Sequence, residues 1–186
     1  MRDLFFYPLC AAFVGAVIWS ALSFTQEVEP FDISKGFEVS GEDLQYFLVP
    51  TQLSFTLYED QQIGQTVAVL TSNANIKTAP PSAGLCLRLG PDFEKGFENT
   101  EIEMTIRARA ADQSPTQHFK MGYFVTGGKG GWKDFTATKD YKDYKIRFKK
   151  GTPKGDARGD YTGIWPDVEG KGRSLNVASV TVKLVR

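Results

Sequence analysis

The sequence has very little with which to build a conventional active site. Its 186 residues contain one histidine, His118, and two cysteines, Cys10 and Cys86. Two isolated cysteines and one histidine do not reach the ligand count or spacing of a zinc site. A Cys10–Cys86 disulfide is excluded as well. Cys10 lies in an apolar N-terminal run and Cys86 in the alternating stretch "LCLRLG", farther apart in a folded domain than disulfide geometry permits. There is no G-x-S-x-G elbow, P-loop, H-E-x-x-H or dinucleotide-binding glycine signature. Net charge is missing too: 22 basic residues balance 22 acidic ones, which argues against a nucleic-acid partner.

The zero net charge conceals a pattern. Residues such as Glu27, Glu29, Glu42 and Asp43 make the early part acidic, and Lys139, Lys145, Lys149 and Lys150 make a later part basic. Asymmetry of this kind reads first as a solvated surface. With no N-glycosylation sequon and no disulfide framework, the chain suits a bacterial envelope setting.

What is present begins with an address. Residues 4–24, "LFFYPLCAAFVGAVIWSALSF", carry no charge over 21 positions. A helix of about 20 apolar residues spans the hydrocarbon core. A cleaved signal peptide has a shorter apolar region, about 7–15 residues, so an uncleaved signal anchor is expected. Arg2 before the span and acids after it place the N-terminus in the cytoplasm and the rest in the periplasm, with the chain in the bacterial inner membrane. The expected organisation is a transmembrane anchor over residues 1–25, a tether over 26–35 containing Pro30, and one domain over 36–186.

That domain reads as all-β. Apolar residues alternate in "LSFTLY", "TVAVLT" and "GLCLRLG", the last turning Leu85, Leu87 and Leu89 inward and Cys86 and Arg88 outward. "EIEMTIRARA" is the clearest strand. Ile102, Met104, Ile106, Ala108 and Ala110 face the core, with Arg107 and Arg109 on the other face. "HFKMGYFVT" and "YKIRF" continue the period, and a phase change between Val177 and Val180 in the last run predicts a β-bulge. Residues 71–84, "TSNANIKTAPPSAG", form a long loop. Short strands, Gly- and Pro-rich turns and no helical period predict an antiparallel β-sandwich, a jelly roll, preceded by one N-terminal transmembrane helix.

The succession "LCLRLGPDF", "IEMTIRARA", "FKMGYFVTGGKGGWKDFTATKDYKDYKIRF" and "SLNVASVTVKLV" resembles the galactose-binding-like jelly rolls, which include many carbohydrate-binding modules. In those domains a strand runs into a Gly-rich turn and a Trp, and an apolar strand closes the sheet. The resemblance implies a binding fold, frequently with a structural calcium, and a ligand site in end loops or on a sheet face.

Several residues then stand out as candidates. Trp132 after "GGKGG", with Lys129 within that turn, offers a stacking face at a loop tip. Tyr161 and Trp165 in "GDYTGIWPDVEGKG" are further ring candidates, with Trp132 expected to be partly exposed and Trp165 largely buried. Tyr123 falls on the core phase and is set aside. Arg107 and Arg109 project from a sheet face and suit an acidic polymer, or a plain charged surface. Asp160, Asp167 and Glu169 could offer oxygens to calcium, against the plainer reading that they cap turns or pair with Lys171 and Arg173.

The functional expectation is a membrane-anchored, non-catalytic periplasmic module that binds a cell-envelope glycan. The alternative is an accessory subunit of an integral membrane complex, where Gly15, Ala16, Ser20 and Ala21 let a partner helix approach and the sandwich covers the periplasmic face. A glycoside hydrolase using two of Asp134, Asp160, Asp167 and Glu169 is the third reading.

Overall fold

A computed structural model describes residues 32–125, 131–151 and 159–185. The expected span at 4–24, most of the tether and Lys129 lie outside the described residues. Among the described residues no helix is long and apolar enough to cross a membrane.

The described residues build two antiparallel sheets. One has six strands: β2 (Leu53–Asp60), β3 (Gln65–Ser72), β10 (Arg173–Leu184), β5 (Glu101–Ala110) and β8 (Lys142–Lys149) in that order, with β1 (Phe37–Ser40) also on β10. The other has four: β4 (Leu85–Arg88), β9 (Asp160–Trp165), β6 (His118–Val125) and β7 (Gly131–Thr136). The long closing strand β10 serves two neighbours along one edge. Arg173–Val177 pairs with β3, and Ser179–Val182 pairs with β1. A register shift between Val177 and Ser179 separates the two halves, where the phase change in the sequence predicts a bulge.

The alternating pattern of β5 sets the sandwich. Ile102, Met104, Ile106 and Ala108 are fully buried and meet Val180 and Val182 on the same sheet. From the other sheet Leu85, Leu87, Met121 and Ile164 complete the core. Each such side chain contributes about 1.5–3 kcal/mol by leaving water, which is what holds two sheets with no disulfide face to face. Tyr123 is buried in the core, as its phase in the sequence implies.

Three strands and one helix depart from the reading of the sequence. β1, β7 and β9 are strands, and Pro91–Gly96 (α1) is a short helix with its proline in the first turn. The stretch "GDYTGIW", expected as part of a connection, is instead a central strand of the four-stranded sheet. Its alternation is hidden because both of its faces are covered, with Thr162, Gly163, Ile164 and Trp165 all buried.

Candidate functional site

The register of the four-stranded sheet fixes which side chains share its outer face. Gly122 lies opposite Trp132 on one side and Gly163 on the other, while Phe124 lies opposite Tyr161 and Lys120 opposite Trp165. Ile164 and Met121 point into the core, so the intervening residues point out. Phe124, Trp132, Tyr161 and Trp165 therefore share one face around two glycines. Trp132 packs edge-on against both Phe124 and Trp165, with ring centroids at 4.9 and 6.1 Å. Trp132 is half-buried and Trp165 is 2% exposed, as expected from their places in the sequence.

A strap formed by residues 73–84 lies on part of this face. The Trp165 indole N–H donates to the Ala74 carbonyl at 3.2 Å and to the Asp167 carbonyl at 3.0 Å. The Ile76 N–H donates to the Val168 carbonyl at 3.2 Å. Glycine is required beneath the strap: a Cβ on Gly163 would sit 2.2 Å from the Ala83 carbonyl oxygen. Beside the strap runs an open groove of about 390 Å³ lined by Asn75, Lys77, His118, Asp134, Val168 and Glu169. Asp134 and Trp132 stand on the same outward row of β7, and Asp134 is paired with Lys120 at 2.6 Å.

The two arginines lie on the opposite side of the molecule, on the outer face of the six-stranded sheet, away from Trp132, Tyr161 and Trp165. Arg107 is exposed and paired with Asp143 at 3.2 Å. Arg109, expected as an outward binding residue, is instead 4% exposed. Asp112 takes both of its terminal nitrogens at 2.7 and 2.8 Å, and Asp60 takes one at 3.1 Å. Its guanidinium also lies over the Tyr141 ring at 5.3 Å. These bonds, that of Asp112 foremost, raise the Arg109 pKa further. Burial pushes the Asp60 carboxyl up, but hydrogen bonds from Tyr141, the Gln62 N–H, Arg109 and Tyr58 outweigh it and hold it at about 2.

Two atoms of this cluster are left over. Arg109 Nε and Asn176 Oδ1 are buried with no hydrogen-bond partner among the described residues. An orphaned buried polar group costs about 1–3 kcal/mol, so such atoms are uncommon. Tyr58, Asp60, Asp112, Tyr141 and Asn176 were not legible as a cluster in the sequence. The available signal was the row of polar residues at alternate positions of "LYED" and "SLNV", which places Tyr58, Asp60 and Asn176 on one sheet face, while Asp112 and Tyr141 lie outside the strands.

The acids read as calcium ligands are separated into different tasks. Asp160 is buried beside Lys150 and Tyr123, with the carboxylate bonded to both side chains. Lys150 follows β8 and Asp160 opens β9, so this ion pair ties the two sheets together. Burial, and then the Asp160 bond, hold the Tyr123 hydroxyl above its ordinary pKa. Asp167 staples a turn, accepting from the N–H groups of Glu169, Lys171 and Arg173 at 3.1, 2.6 and 3.2 Å. Glu169 is exposed and paired with Lys171 and Arg173. Among the described residues no three His, Cys, Asp or Glu side chains gather to hold a metal. Turn capping and pairing with Lys171 and Arg173 describe the bonding of Asp167 and Glu169, whereas Asp160 pairs with Lys150 instead.

No family model matches the sequence, and no curated protein is significantly similar to it. Solved structures do resemble the fold. The CBM22-2 xylan-binding domain from Paenibacillus barcinonensis Xyn10C superposes with a TM-score of 0.58 at 9% identity, over 80% of this chain and 99% of that one. The C-terminal family 22 carbohydrate-binding module of Clostridium thermocellum Xyn10B gives 0.55 at 12% identity, over 84% and 96%. The CBM22-1–CBM22-2 tandem from the Paenibacillus enzyme gives 0.57 at 10% identity over 87% of this chain, which spans 47% of that tandem. At the level of fold, this chain is a jelly-roll β-sandwich of the kind seen in family 22 carbohydrate-binding modules.

Proposed function

We propose that this protein is a membrane-anchored, non-catalytic module that binds a glycan chain along the outer face of its four-stranded sheet. The observation that carries the reading is the arrangement of Trp132, Phe124 and Tyr161 around Gly122 and Gly163 on one sheet face. Aromatic rings give a sugar its apolar contact, and Gly122 and Gly163 leave room for the Phe124 ring to lie close against the sheet. The neighbouring groove supplies polar partners in Asn75, Lys77 and Asp134 for hydroxyl groups. The fold supports the same reading, since several modules that share it are described as xylan-binding.

A binding role without hydrolysis is supported by what surrounds the acids. Glycoside hydrolysis needs two carboxyl groups flanking one bond. Asp134 is tied to Lys120, Asp160 to Lys150, Asp167 to three backbone N–H groups, and Glu169 to Lys171 and Arg173. Anchoring rests on the uncharged run at 4–24, and the periplasmic orientation on Arg2 and the acids that follow the span.

The test is retention of the full chain, in mild detergent, on immobilised xylan, mixed-linkage β-glucan and peptidoglycan. Retention on one of them, lost in Trp132→Ala with the fold intact, supports the reading. No retention on any, together with co-purification of defined membrane subunits that is abolished by exchanging the span, supports the accessory-subunit role instead.

A further inference from the structure

The outer face of the six-stranded sheet carries a second cavity. It holds about 390 Å³ between strands β2, β3 and β10 and the loop after β5, and is lined by Tyr58, Asp112, Gln113, Ser114, Ser174 and Asn176 among others. That volume falls at the lower end of those that take small molecules. Its rim is built rather than incidental. Ser114 holds φ at 49°, in the left-handed region that a serine rarely adopts, and its carbonyl accepts the Ser174 N–H at 2.7 Å. Backbone strain of this kind persists only where the surrounding structure enforces it, and it gathers at ligand clamps.

The chemistry of the lining selects a class of ligand. Tyr58 is 37% exposed, a ring on the open sheet face, while its hydroxyl is fixed by Asn176 Nδ2 at 2.7 Å and by Asp60 at 3.0 Å. A ring held rigidly beside hydroxyl and amide groups suits a sugar, which has apolar C–H faces and a polar edge. Asn176 is 2% exposed, and its Oδ1 is one of the two buried atoms with no partner among the described residues. Charge decides between neutral and acidic sugars. The terminal nitrogens of Arg109 are engaged by Asp112 and Asp60, so one guanidinium faces two carboxylates and the surplus is negative.

We infer that this cavity is a second sugar-binding site, taking one neutral sugar ring over Tyr58, on the face opposite Trp132. The site is independent of the aromatic face of the four-stranded sheet. With both occupied, the sandwich holds two chains and can crosslink a polysaccharide, gaining retention without any new contact.

The experiment titrates the isotope-labelled full chain with D-xylose, D-glucose and D-glucuronate, following the backbone amides of Ser114, Gly172 and Ser174 by NMR. The expected result is a saturable shift of these amides with xylose or glucose, a weaker response to glucuronate, and no change in either on Trp132→Ala. Tyr58→Ala is expected to weaken the response about tenfold. Ser114→Gly suits the left-handed backbone, so it removes the hydroxyl from a folded protein and weakens the response as well. Three results overturn the proposal: no movement of these amides with any of the three sugars, tighter binding of glucuronate than glucose, or loss of the response in Trp132→Ala.

Discussion

The indole N–H of Trp165 donates to the carbonyl of Ala74 at 3.2 Å, joining two residues 91 positions apart in the chain. That bond fastens the strap at 73–84 to the central strand of the four-stranded sheet. Trp165 is thereby buried on a face that would otherwise be open, and Trp132 is left as the indole that borders solvent. The strap thus sets which part of the aromatic face a ligand can reach.

Gly163→Ala tests that arrangement. The new methyl group would meet the Ala83 carbonyl oxygen at 2.2 Å, so the strap must lift. Overpacking of this kind costs about 1–3 kcal/mol. The expected outcome is a lower melting temperature with faster hydrogen exchange at the Ile76 N–H, which bonds Val168 across the strap. Unchanged exchange there would show that the strap does not rest on Gly163.

The Lys150–Asp160 pair makes a different prediction, about stability. Both side chains are almost fully buried, and the pair joins the sheets at one end of the sandwich. Lys150→Met leaves the Asp160 carboxylate without its cation and should cost about 3–5 kcal/mol in denaturant unfolding. Adding Asp160→Leu removes the stranded charge, and the double variant should recover much of that loss. A single variant as stable as the parent would contradict the account of this pair.

Much of the fold was legible because one face of each sheet packs on the core. β5 alternates from Ile102 to Ala108, and the register shift of β10 between Val177 and Ser179 falls within the phase change at Val177–Val180. β9 was not legible, because the strap covers its outer face and Gly163 interrupts it, so its residues are buried regardless of parity. The candidate residues divide in the same way. Trp132, Tyr161 and Trp165 were visible as rings beside glycines, and the structure places them on one face. Arg109 reads as an open cation in the sequence because alternation does not show that Asp112, three residues on, folds back onto it or that Asp60, 49 positions away, covers it. Long-range polar partners of this kind leave no periodic trace.

Asp60 carries a pH signature. Its carboxyl is held at about 2 in the folded protein against 3.8 ordinarily. The stability it contributes is full above the unfolded value, and is lost as pH falls through the folded one. The shift corresponds to about 2 kcal/mol. Unfolding free energy should therefore decline between about pH 4 and 2. Asp60→Asn should be less stable than the parent at neutral pH and flatter across that interval. An identical acid limb in the two proteins would remove Asp60 from the explanation.

The central claim is that the face bearing Trp132 binds a glycan, and calorimetric titration of the full chain in detergent with xylo-oligosaccharides tests it most directly. The account predicts saturable binding that weakens at least about tenfold, roughly 1.4 kcal/mol, in Trp132→Ala and again in Tyr161→Ala, with both variants retaining a cooperative melt. Binding of equal strength in parent and both variants would contradict it.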